Sequence, residues 1–330
     1  MVLSSPAPVA TAPLRLTDLP VPEPRAGEVQ IEVEVCGVCR TDLHVVEGDL
    51  PARRLQIIPG HEVVGRVSRL GPGAHRFVIG QRVGVAWLYS SCGHCEYCQR
   101  GTENLCLAPR FTGWTEPGGY ADALCAPEDF VYALPDGLSS RVAAPLLCAG
   151  IIGYRALMRS AIQPGEALGL YGFGASAHIV LQIARHWGCS VYVATRGDRH
   201  QALAREMGAA WVGGADAVPP VKLQGAILFA PAGELVPVAL AALDRGGTLA
   251  VAGIHVSDIP PLNYQAHLFQ ERSLRSVTAN TRADGEALLR LAAEIPLHAM
   301  TEEFPLERAN DALFRLRHDQ IAGAAVLRLR

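Results

Sequence analysis

Four of the nine cysteines in this chain stand close together, with the spacing Cys-x2-Cys-x2-Cys-x7-Cys. They are Cys92, Cys95, Cys98 and Cys106. Zn²⁺ takes four thiolates in a tetrahedron at about 2.3 Å, and thiolates three residues apart in a loop can converge on one ion. Because four protein ligands leave no position for a substrate, the pattern predicts a structural zinc site within residues 92–106. The alternatives are an iron–sulfur cluster, which also uses four thiolates, and a set of unpaired buried cysteines.

Three other short segments contain residues of types that bind metals. Cys39-Arg40-Thr41-Asp42-Leu43-His44 is followed about twenty residues later by Gly60-His61-Glu62, and Cys148 lies in the apolar segment 144–149. In isolation none of them predicts a metal site. A lone cysteine on an apolar helix usually packs in a core, and a lone histidine is usually a hydrogen-bonded polar side chain.

A glycine-rich stretch has the form G-x-G-x-x-A, with the residues Gly172, Phe173, Gly174, Ala175, Ser176 and Ala177. It follows a predicted strand and opens a predicted helix that begins at Ala177. In this context Gly172 permits a tight turn, Gly174 lets the backbone approach a pyrophosphate, and Ala177 keeps helix and strand close. The free N–H groups at the start of the helix favour an anion. The motif therefore predicts a dinucleotide-binding loop rather than a plain turn.

The end of the next predicted strand, 190–194, bears on the choice of cofactor. Proteins that bind NAD usually carry Asp or Glu there to hold the ribose 2′-hydroxyl, but this strand ends in Thr195-Arg196-Gly197. A hydroxyl and a guanidinium suit a 2′-phosphate, because Arg offers a charge-assisted, bidentate fork. NADP(H) is the predicted preference. NAD(H) is the alternative, because a shifted loop could bring Asp198 to the ribose.

Three regions with different hydrophobic patterns contain these motifs. Up to about residue 135, short strands alternate with long loops, and Glu28 to Val35 alternates strictly between polar and apolar residues, as a half-buried antiparallel strand does. From about 150 to 275, strand-like runs alternate with helical patterns, which predicts a parallel, doubly wound sheet with helices on both faces. The predicted strands there are 167–171, 190–194, 225–230 and 248–254, and the predicted helices are 177–187, 199–207 and 235–243. The last region contains predicted helices at 284–294 and 306–316 and a closing strand at 324–329.

Taken together, these motifs make the chain resemble the zinc-dependent alcohol dehydrogenases of the medium-chain dehydrogenase/reductase (MDR) superfamily. The resemblance covers essentially the whole chain, and the hexapeptide from Cys39, the His61 motif, the four-cysteine lobe, Cys148 and the glycine loop follow the family's order. It implies an α/β protein of two domains. Residues 1–149 and 276–330 would form a GroES-like, β-barrel-type catalytic domain, and residues 150–275 a Rossmann domain with a doubly wound parallel sheet that binds NAD(P).

The resemblance also implies the site that holds a second, catalytic zinc ion. Cys39, His61 and Cys148 match its ligands, and three ligands leave a fourth position for water or the substrate oxygen. Asp42 matches the carboxylate that orients the ligand histidine. Glu62 matches an acidic neighbour that approaches the metal during ligand exchange in some members.

Further residues match positions that serve the substrate and the cofactor. Thr41 matches the hydroxyl that hydrogen-bonds the substrate oxygen, and His44 matches the surface end of a proton relay. Arg40 matches a contact to the cofactor pyrophosphate, and its share should be large here because Ala324 stands where several relatives have Arg. By analogy the substrate pocket is lined by Val46, Trp87 and Trp114, which implies an apolar substrate tail.

Composition agrees with a two-domain globular protein. The chain has 330 residues, of which 49% are hydrophobic and 18% charged, enough apolar residues for a sizeable core. A net charge of -3 without a Lys/Arg run gives no indication of nucleic acid or an anionic membrane as partner. The most apolar stretch, 225–243, is interrupted by Pro231, Glu234 and Pro237, so it does not predict a membrane-spanning helix. Clustered cysteines and the absence of a signal-peptide pattern predict a cytoplasmic protein.

The sequence thus predicts a zinc-dependent alcohol dehydrogenase or aldehyde reductase. It would transfer hydride reversibly between NAD(P)(H) and a primary or secondary alcohol, an aldehyde or a ketone, with two zinc ions per chain. One alternative is a polyol or sugar dehydrogenase of the same superfamily, and another is a zinc-stabilised, NADP-binding sensor without turnover. The expected partner is a small-molecule alcohol or aldehyde. Because relatives of this length are commonly dimers or tetramers, we expect a homodimer or homotetramer.

Overall fold

The computed structural model describes residues 1–253, 255–321 and 323–329. The chain folds into two compact units, the first made of Met1–Cys148 with Ala279–Arg330 and the second of Ala149–Thr278. The domain boundaries predicted from sequence, after 149 and after 275, lie within three residues of these changes. Residue 254, the end of the predicted strand 248–254, lies outside the described residues, as does residue 330.

The described strands are β1 (Val2–Leu3), β2 (Leu14–Arg15), β3 (Glu28–Val38), β4 (Glu62–Leu70), β5 (Arg82–Val85), β6 (Leu88–Ser90), β7 (Arg110–Phe111), β8 (Ala123–Pro127), β9 (Val131–Ala133), β10 (Ala167–Tyr171), β11 (Ser190–Ala194), β12 (Trp211–Gly213), β13 (Leu223–Leu228), β14 (Leu243–Val251), β15 (Ser273–Ser276), β16 (Thr301–Pro305) and β17 (Ala324–Arg328). The described α-helices are α1 (Arg40–Glu47), α2 (Glu96–Gln99), α3 (Ser140–Pro145), α4 (Ile151–Arg159), α5 (Ala175–His186), α6 (Asp198–Glu206), α7 (Leu235–Ala242), α8 (Tyr264–His267), α9 (Arg282–Glu294) and α10 (Ala309–Arg317). Short 3-10 turns cover Val9–Thr11, Glu103–Leu105, Glu128–Phe130 and Leu306–Arg308.

A mostly antiparallel sheet of seven strands forms the centre of the first unit, in the order β16-β17-β3-β4-β5-β9, with β8 also paired to β3. The predicted alternation of β3 holds for its apolar face, where Val29, Ile31 and Val33 are fully buried. It is wrong at Gln30, which is also buried. The Gln30 amide donates to the Pro22 carbonyl at 2.6 Å and accepts from the Ser68 hydroxyl at 2.7 Å. These bonds replace the water that the amide loses on burial.

The apolar core of this unit joins the sheet to two helices. Leu43 of α1 and Leu313 of α10 belong to the same buried cluster as Ile31 and Val63 of the sheet. Burying each such side chain contributes about 1.5–3 kcal/mol. The apolar side of α1 therefore packs against the sheet. The polar residues of this helix are left to contribute to the candidate metal centre described below.

The second unit contains the parallel sheet that the sequence predicts. Its order is β12-β11-β10-β13-β14-β15, with every pair parallel. The chain runs outward from β10 to β12 and then returns to β13 beside β10, so the strand order reverses between β10 and β13. Open α/β sheets bind ligands outside the carboxyl ends of the strands at such a reversal. The glycine loop follows β10 directly at this point.

One helical stretch, Ser140–Arg159, combines α3, a π-helical turn at Leu146–Gly150 and α4. By length and composition it could cross a membrane, but 56% of its 18-residue apolar window is buried inside the protein. Such burial is typical of the core helix of a globular protein. Pro145 lies within the stretch and lacks a backbone N–H, so the regular bonding pattern changes just before Cys148.

Candidate metal centres and nucleotide loop

The first candidate metal centre brings together Cys39, His61, Glu62 and Cys148. Their ligand atoms all lie within 4.8 Å of one another. The Sγ of Cys39 is 3.3 Å from Nε2 of His61 and 3.9 Å from Sγ of Cys148. Two sulfur ligands about 2.3 Å from a tetrahedral zinc ion would be about 3.8 Å apart. The donor set therefore has the chemistry and the size to hold one zinc ion.

The local fold of α1 positions two of these ligands through one carboxylate. Cys39 is the N-cap of α1, and its backbone N–H donates to Oδ2 of Asp42 at 2.9 Å. The other oxygen, Oδ1, accepts from Nδ1 of His61 at 3.0 Å and from the Gly60 N–H at 3.1 Å. Since Nδ1 is engaged by the carboxylate, Nε2 is the nitrogen that faces Cys39, as a metal ligand requires.

The third ligand, Cys148, lies in the π-helical turn that follows Pro145. A π turn inserts an extra residue into a helix, and such turns occur frequently at functional sites. Across the site, Glu62 is buried, and a Cβ on Gly37 of β3 would lie 1.8 Å from its Oε2. Glycine at position 37 is therefore what gives this carboxylate room to point inward.

The pKa values of the two thiols in this centre are shifted in opposite directions. The hydrogen bond from Cys148 is the largest influence on Cys39 and holds its pKa well below the ordinary value, whereas the same bond and burial raise the pKa of Cys148. Although burial opposes it, the charges of Asp42 and Cys39 raise the pKa of His61. Burial raises the pKa of Glu62. One thiolate is thus already favoured, and a divalent cation would displace the proton of the second.

Two of the predicted relay residues lie on α1 with different exposure. Thr41 is buried, and the His44 side chain is 19% exposed. Nδ1 of His44 lies 2.8 Å from Oδ2 of Asp49, a residue that no sequence motif indicates. Arg40 is half-exposed and forms an ion pair with Asp319.

The second candidate centre contains the four clustered cysteines. Their sulfur atoms also lie within 4.8 Å of one another, with Cys98 at 3.5 Å from Cys95 and 3.9 Å from Cys92. Backbone N–H groups point at the sulfurs and lower the pKa of Cys92 and, to about 6, that of Cys95. Burial raises the pKa of Cys106 to about 11. All nine cysteines of the chain are free thiols, so the cluster contains no disulfide.

An aromatic cluster extends from the first centre. The ring of Trp87 meets the His61 ring edge-on at 5.1 Å and stacks with Trp114 at 5.9 Å and Phe111 at 4.9 Å. Phe111 belongs to this wall but was not predicted; its only sequence signal is its position three residues before Trp114.

The prediction that Val46 lines the substrate pocket needs correction. Its side chain is fully buried in the core of the first unit, because it lies on the apolar side of α1, and it offers no surface to a ligand.

The glycine loop has the conformation that its motif predicts. Gly172 has φ +90°, and a Cβ there would lie 2.8 Å from the backbone nitrogen of Ala230. Gly174 is exposed and is the N-cap of α5, which begins at Ala175 rather than at the predicted Ala177. The remaining loop positions range from buried Phe173 and Ala177 to half-buried Ala175 and Ser176.

The residues that follow β11 differ in accessibility. Thr195 is buried, and its backbone carbonyl accepts from Gln201 at 3.1 Å. Arg196 is exposed. His178, in the first turns of α5, is buried and packs against Phe173, with ring centroids 4.5 Å apart and the ring planes tilted by 54°. Burial lowers its pKa to about 4, so its ring is neutral near pH 7.

Two models of known protein families match parts of this chain. Residues 25–136 match the alcohol dehydrogenase GroES-like domain, and residues 177–294 match the zinc-binding dehydrogenase domain. The probable alcohol dehydrogenase AdhA of Mycobacterium tuberculosis is 54% identical over 327 residues, which cover 98% of this chain and 94% of the relative. The chain belongs to the zinc-dependent alcohol dehydrogenase family of the MDR superfamily.

Solved structures of alcohol dehydrogenases and reductases share the fold. A cinnamyl alcohol dehydrogenase from Sorghum bicolor is 30% identical with a TM-score of 0.87, covering 98% of this chain and 96% of that one. Acetophenone reductase from Geotrichum candidum, solved with NAD, is 25% identical with a TM-score of 0.87, covering 99% and 96%. The predicted family, fold class and enzyme type are confirmed. This alcohol dehydrogenase is a zinc- and nicotinamide-dependent oxidoreductase, and neither the polyol dehydrogenase nor the sensor is favoured.

Proposed function

We propose that Cys39, His61 and Cys148 form the catalytic zinc centre at which this alcohol dehydrogenase interconverts alcohols with aldehydes or ketones. The observation that supports it best is the donor set of two thiols and one imidazole, with Asp42 bonded to the far nitrogen of His61. A bound zinc ion supplies Lewis acidity toward the substrate oxygen, and the nicotinamide carries the hydride. Three protein ligands leave one position at which that oxygen can bind.

The chain's own residues then handle the proton and the orientation of the substrate. Thr41 donates a hydrogen bond to the substrate oxygen, and His44 takes the proton onward toward solvent. Glu62 is the acidic neighbour of the metal. Its buried carboxylate lies within 4.8 Å of the other ligand atoms, where it could approach the metal during ligand exchange.

We further propose that Cys92, Cys95, Cys98 and Cys106 hold a second, structural zinc ion. Four thiol ligands leave no open position, so this ion stabilises its lobe and does not meet the substrate. Glu103, within the same lobe, accepts from the backbone N–H of Arg282 at 2.9 Å and from its guanidinium at 3.2 Å. A zinc ion here would therefore also support the start of α9.

For the cofactor we propose NADP(H) as the preferred form and NAD(H) as the weaker one. The loop Gly172–Ala177 and the start of α5 would bind the pyrophosphate, to which Arg40 contributes charge. Arg196 supports the NADP(H) preference because it is exposed at the end of β11, where an acidic residue would otherwise hold the ribose. Thr195 is buried, and its contribution to NADP(H) binding would come from its hydroxyl as a donor to the 2′-phosphate.

We propose that the preferred substrates carry an aromatic ring within a few bonds of the reacting carbon. Trp87 and Trp114, with Phe111, form an aromatic wall that starts at the zinc ligand His61. Aromatic pairs contribute about 0.5–1.5 kcal/mol beyond the area that they bury. Two structurally similar proteins act, by their names, on cinnamyl alcohol and acetophenone, both of which contain an aryl group.

We also propose that residues 1–149 with 276–330 serve as the catalytic domain and 150–275 as the cofactor domain. A cytoplasmic location and a homodimeric or homotetrameric assembly complete the proposal. The free state of all nine cysteines supports a reducing compartment. Size-exclusion chromatography with light scattering tests the assembly, and a monomer would contradict it.

A substrate comparison tests the proposed function. We expect the purified enzyme to oxidise cinnamyl and benzyl alcohol with a higher kcat/KM than ethanol, measured by the absorbance of the reduced nicotinamide. Trp87→Leu should lower kcat/KM for cinnamyl alcohol about tenfold, equivalent to about 1.4 kcal/mol, and leave ethanol oxidation nearly unchanged. An equal loss with both alcohols would contradict the aromatic preference. No turnover of any alcohol by zinc-loaded enzyme would contradict the function.

A further inference from the structure

A histidine–carboxylate pair stands at the end of α1. The helix ends at Glu47, and Gly48 follows with φ +87° and donates its N–H to the His44 carbonyl at 3.1 Å. The Leu50 N–H donates to the same carbonyl at 3.2 Å. This reversal brings Asp49, five residues after His44, back to the imidazole, where its Oδ2 lies 2.8 Å from Nδ1.

The carboxylate determines which ring nitrogen of His44 can act as a base. An ionised carboxylate only accepts hydrogen bonds, so Nδ1 must carry a proton to bond it. In a neutral imidazole the lone pair is then on Nε2. A base–orienting-group pair of this kind is what serine hydrolases use to hold their catalytic histidine in the correct tautomer.

We propose that Asp49 is a positioning residue for the proton transfer that accompanies alcohol oxidation, and that it acts through His44. The inference rests on the proposed function, in which His44 ends the proton relay. In the oxidation the O–H bond of the alcohol breaks and its proton reaches Nε2 of His44 through the relay. The C–H bond breaks with its electron pair, the hydride goes to the nicotinamide, and the C=O bond forms. The proton then passes from Nε2 to water, while Nδ1–H stays bonded to Asp49.

Exposure and neighbouring charges fit this role. The His44 side chain is 19% exposed and that of Asp49 is 53% exposed, so the pair lies where a proton can pass to solvent. The adjacent acid on α1, Glu47, is engaged elsewhere: it accepts from the Val9 N–H at 3.2 Å and pairs with Arg317 of α10 at 3.3 Å. Asp49 is the carboxylate that the structure pairs with the His44 ring.

A double-mutant cycle tests whether Asp49 acts through His44. We expect His44→Gln to slow the pre-steady-state formation of reduced nicotinamide, because general-base catalysis contributes on the order of a hundredfold or more. Asp49→Ala should slow it about tenfold in the wild-type background, with KM for the cofactor nearly unchanged. In the His44→Gln background, Asp49→Ala should add less than twofold. Asp49→Glu, which keeps the carboxylate, should recover most of the rate.

Nitrogen NMR of the zinc-loaded enzyme without cofactor or substrate gives a readout that is independent of turnover. With ¹⁵N-labelled histidine, we expect Nδ1 of His44 to be protonated in the wild type and to lose that preference in Asp49→Ala. The exposed Asp129→Ala is the matched control and should keep both the spectrum and the rate.

Two different results would overturn the inference. If Asp49→Ala slows the reaction by the same factor with and without His44, or leaves the His44 spectrum unchanged, Asp49 does not act through His44, and the proposed relay stands. If His44→Gln reacts as fast as the wild type, the relay assignment in the proposed function fails and the role of Asp49 fails with it.

Discussion

Asp42 is the residue on which the geometry of the proposed catalytic centre depends most. Its two oxygens accept three hydrogen bonds, from Cys39, Gly60 and His61. Asp42→Asn retains one oxygen and replaces the other with an N–H₂ group, which cannot accept. We expect zinc affinity at this centre to fall 10–100-fold, the usual effect of losing such a partner of a ligand. Competition with a chelator measures the affinity, with Asp129→Asn as control. Unchanged affinity would contradict the role of Asp42.

Arg196 should account for much of the cofactor preference. A hydrogen bond to a charged group contributes roughly 1.5–3 kcal/mol, so Arg196→Ala should raise KM for NADPH about tenfold to a hundredfold. KM for NADH should hardly change, because the lost partner is the 2′-phosphate alone. Steady-state kinetics with both cofactors measure the effect, with Arg205→Ala at the other end of α6 as control. A wild type that favours NADH, or a variant that weakens both cofactors equally, would contradict this assignment.

Residue type and spacing predict ligands better than they predict the residues around them. The spacing of Cys92, Cys95, Cys98 and Cys106 predicts a metal site by itself, whereas Cys39, His61 and Cys148 are predicted as ligands only through the resemblance to a family. Asp49 and Phe111 could not be predicted, because an aspartate after a helix and an aromatic residue in a loop are common. Only the reversal at Gly48 and the packing around Trp87 give them a place in the site.

Substitutions of two cysteines on different elements should affect the protein in different ways. Cys92 belongs to the lobe whose zinc site has four protein ligands, so Cys92→Ser should lower Tm and the zinc content, because binding energy there is folding energy. Cys148 lies in the π-helical turn, and Cys148→Ser should mainly abolish turnover. Calorimetry and single-turnover assays on both variants measure the two effects. The same loss of Tm and of activity in both would contradict the division into a structural and a catalytic site.

Helix α5 should make the protein sensitive to acid through His178. The unfolded chain protonates this residue below its ordinary pKa of 6.5, and the folded chain only near pH 4. Because the unfolded state binds more protons in that window, stability falls as pH drops from 6.5 toward 4. At pH 5 the loss is about 2 kcal/mol.

His178→Leu removes this titration and keeps the apolar contact with Phe173. We expect the fall in Tm between pH 7 and pH 5 to be about 4 °C smaller in the variant than in the wild type. His186→Leu, which replaces an exposed histidine at the end of the same helix, is the matched control. Equal falls in the wild type and His178→Leu would contradict a buried, neutral His178.

Elements that are buried or strongly periodic could be predicted, and short edge elements could not. The sequence predicts β10 and β11 to the residue, since both are apolar runs in the middle of a parallel sheet. The edge strands β12 and β15 are only three and four residues long, too short to show a repeating pattern, and they carry no such signal. The early start of α5 follows from Gly174, whose carbonyl accepts the first helical bond from His178 at 3.0 Å.

At the scale of the whole molecule, the ligands of the proposed catalytic zinc come from distant parts of the sequence but from one unit. Cys148 is the last residue before the chain leaves the first unit, to which it returns at Ala279. A metal ion bound by Cys39, His61 and Cys148 would therefore tie the last residue of the segment Met1–Cys148 to two residues earlier in the same segment. Its removal should loosen this segment as well as stop turnover.

Anomalous diffraction at the zinc absorption edge can locate both proposed metal ions. We expect two zinc peaks per chain in the enzyme as purified. One should lie among Cys39 Sγ, His61 Nε2 and Cys148 Sγ, with a coordination position that the protein does not fill. The other should lie among the sulfurs of Cys92, Cys95, Cys98 and Cys106. An active enzyme without a peak at the first cluster would contradict the catalytic zinc centre, and the absence of the second peak would contradict the structural one.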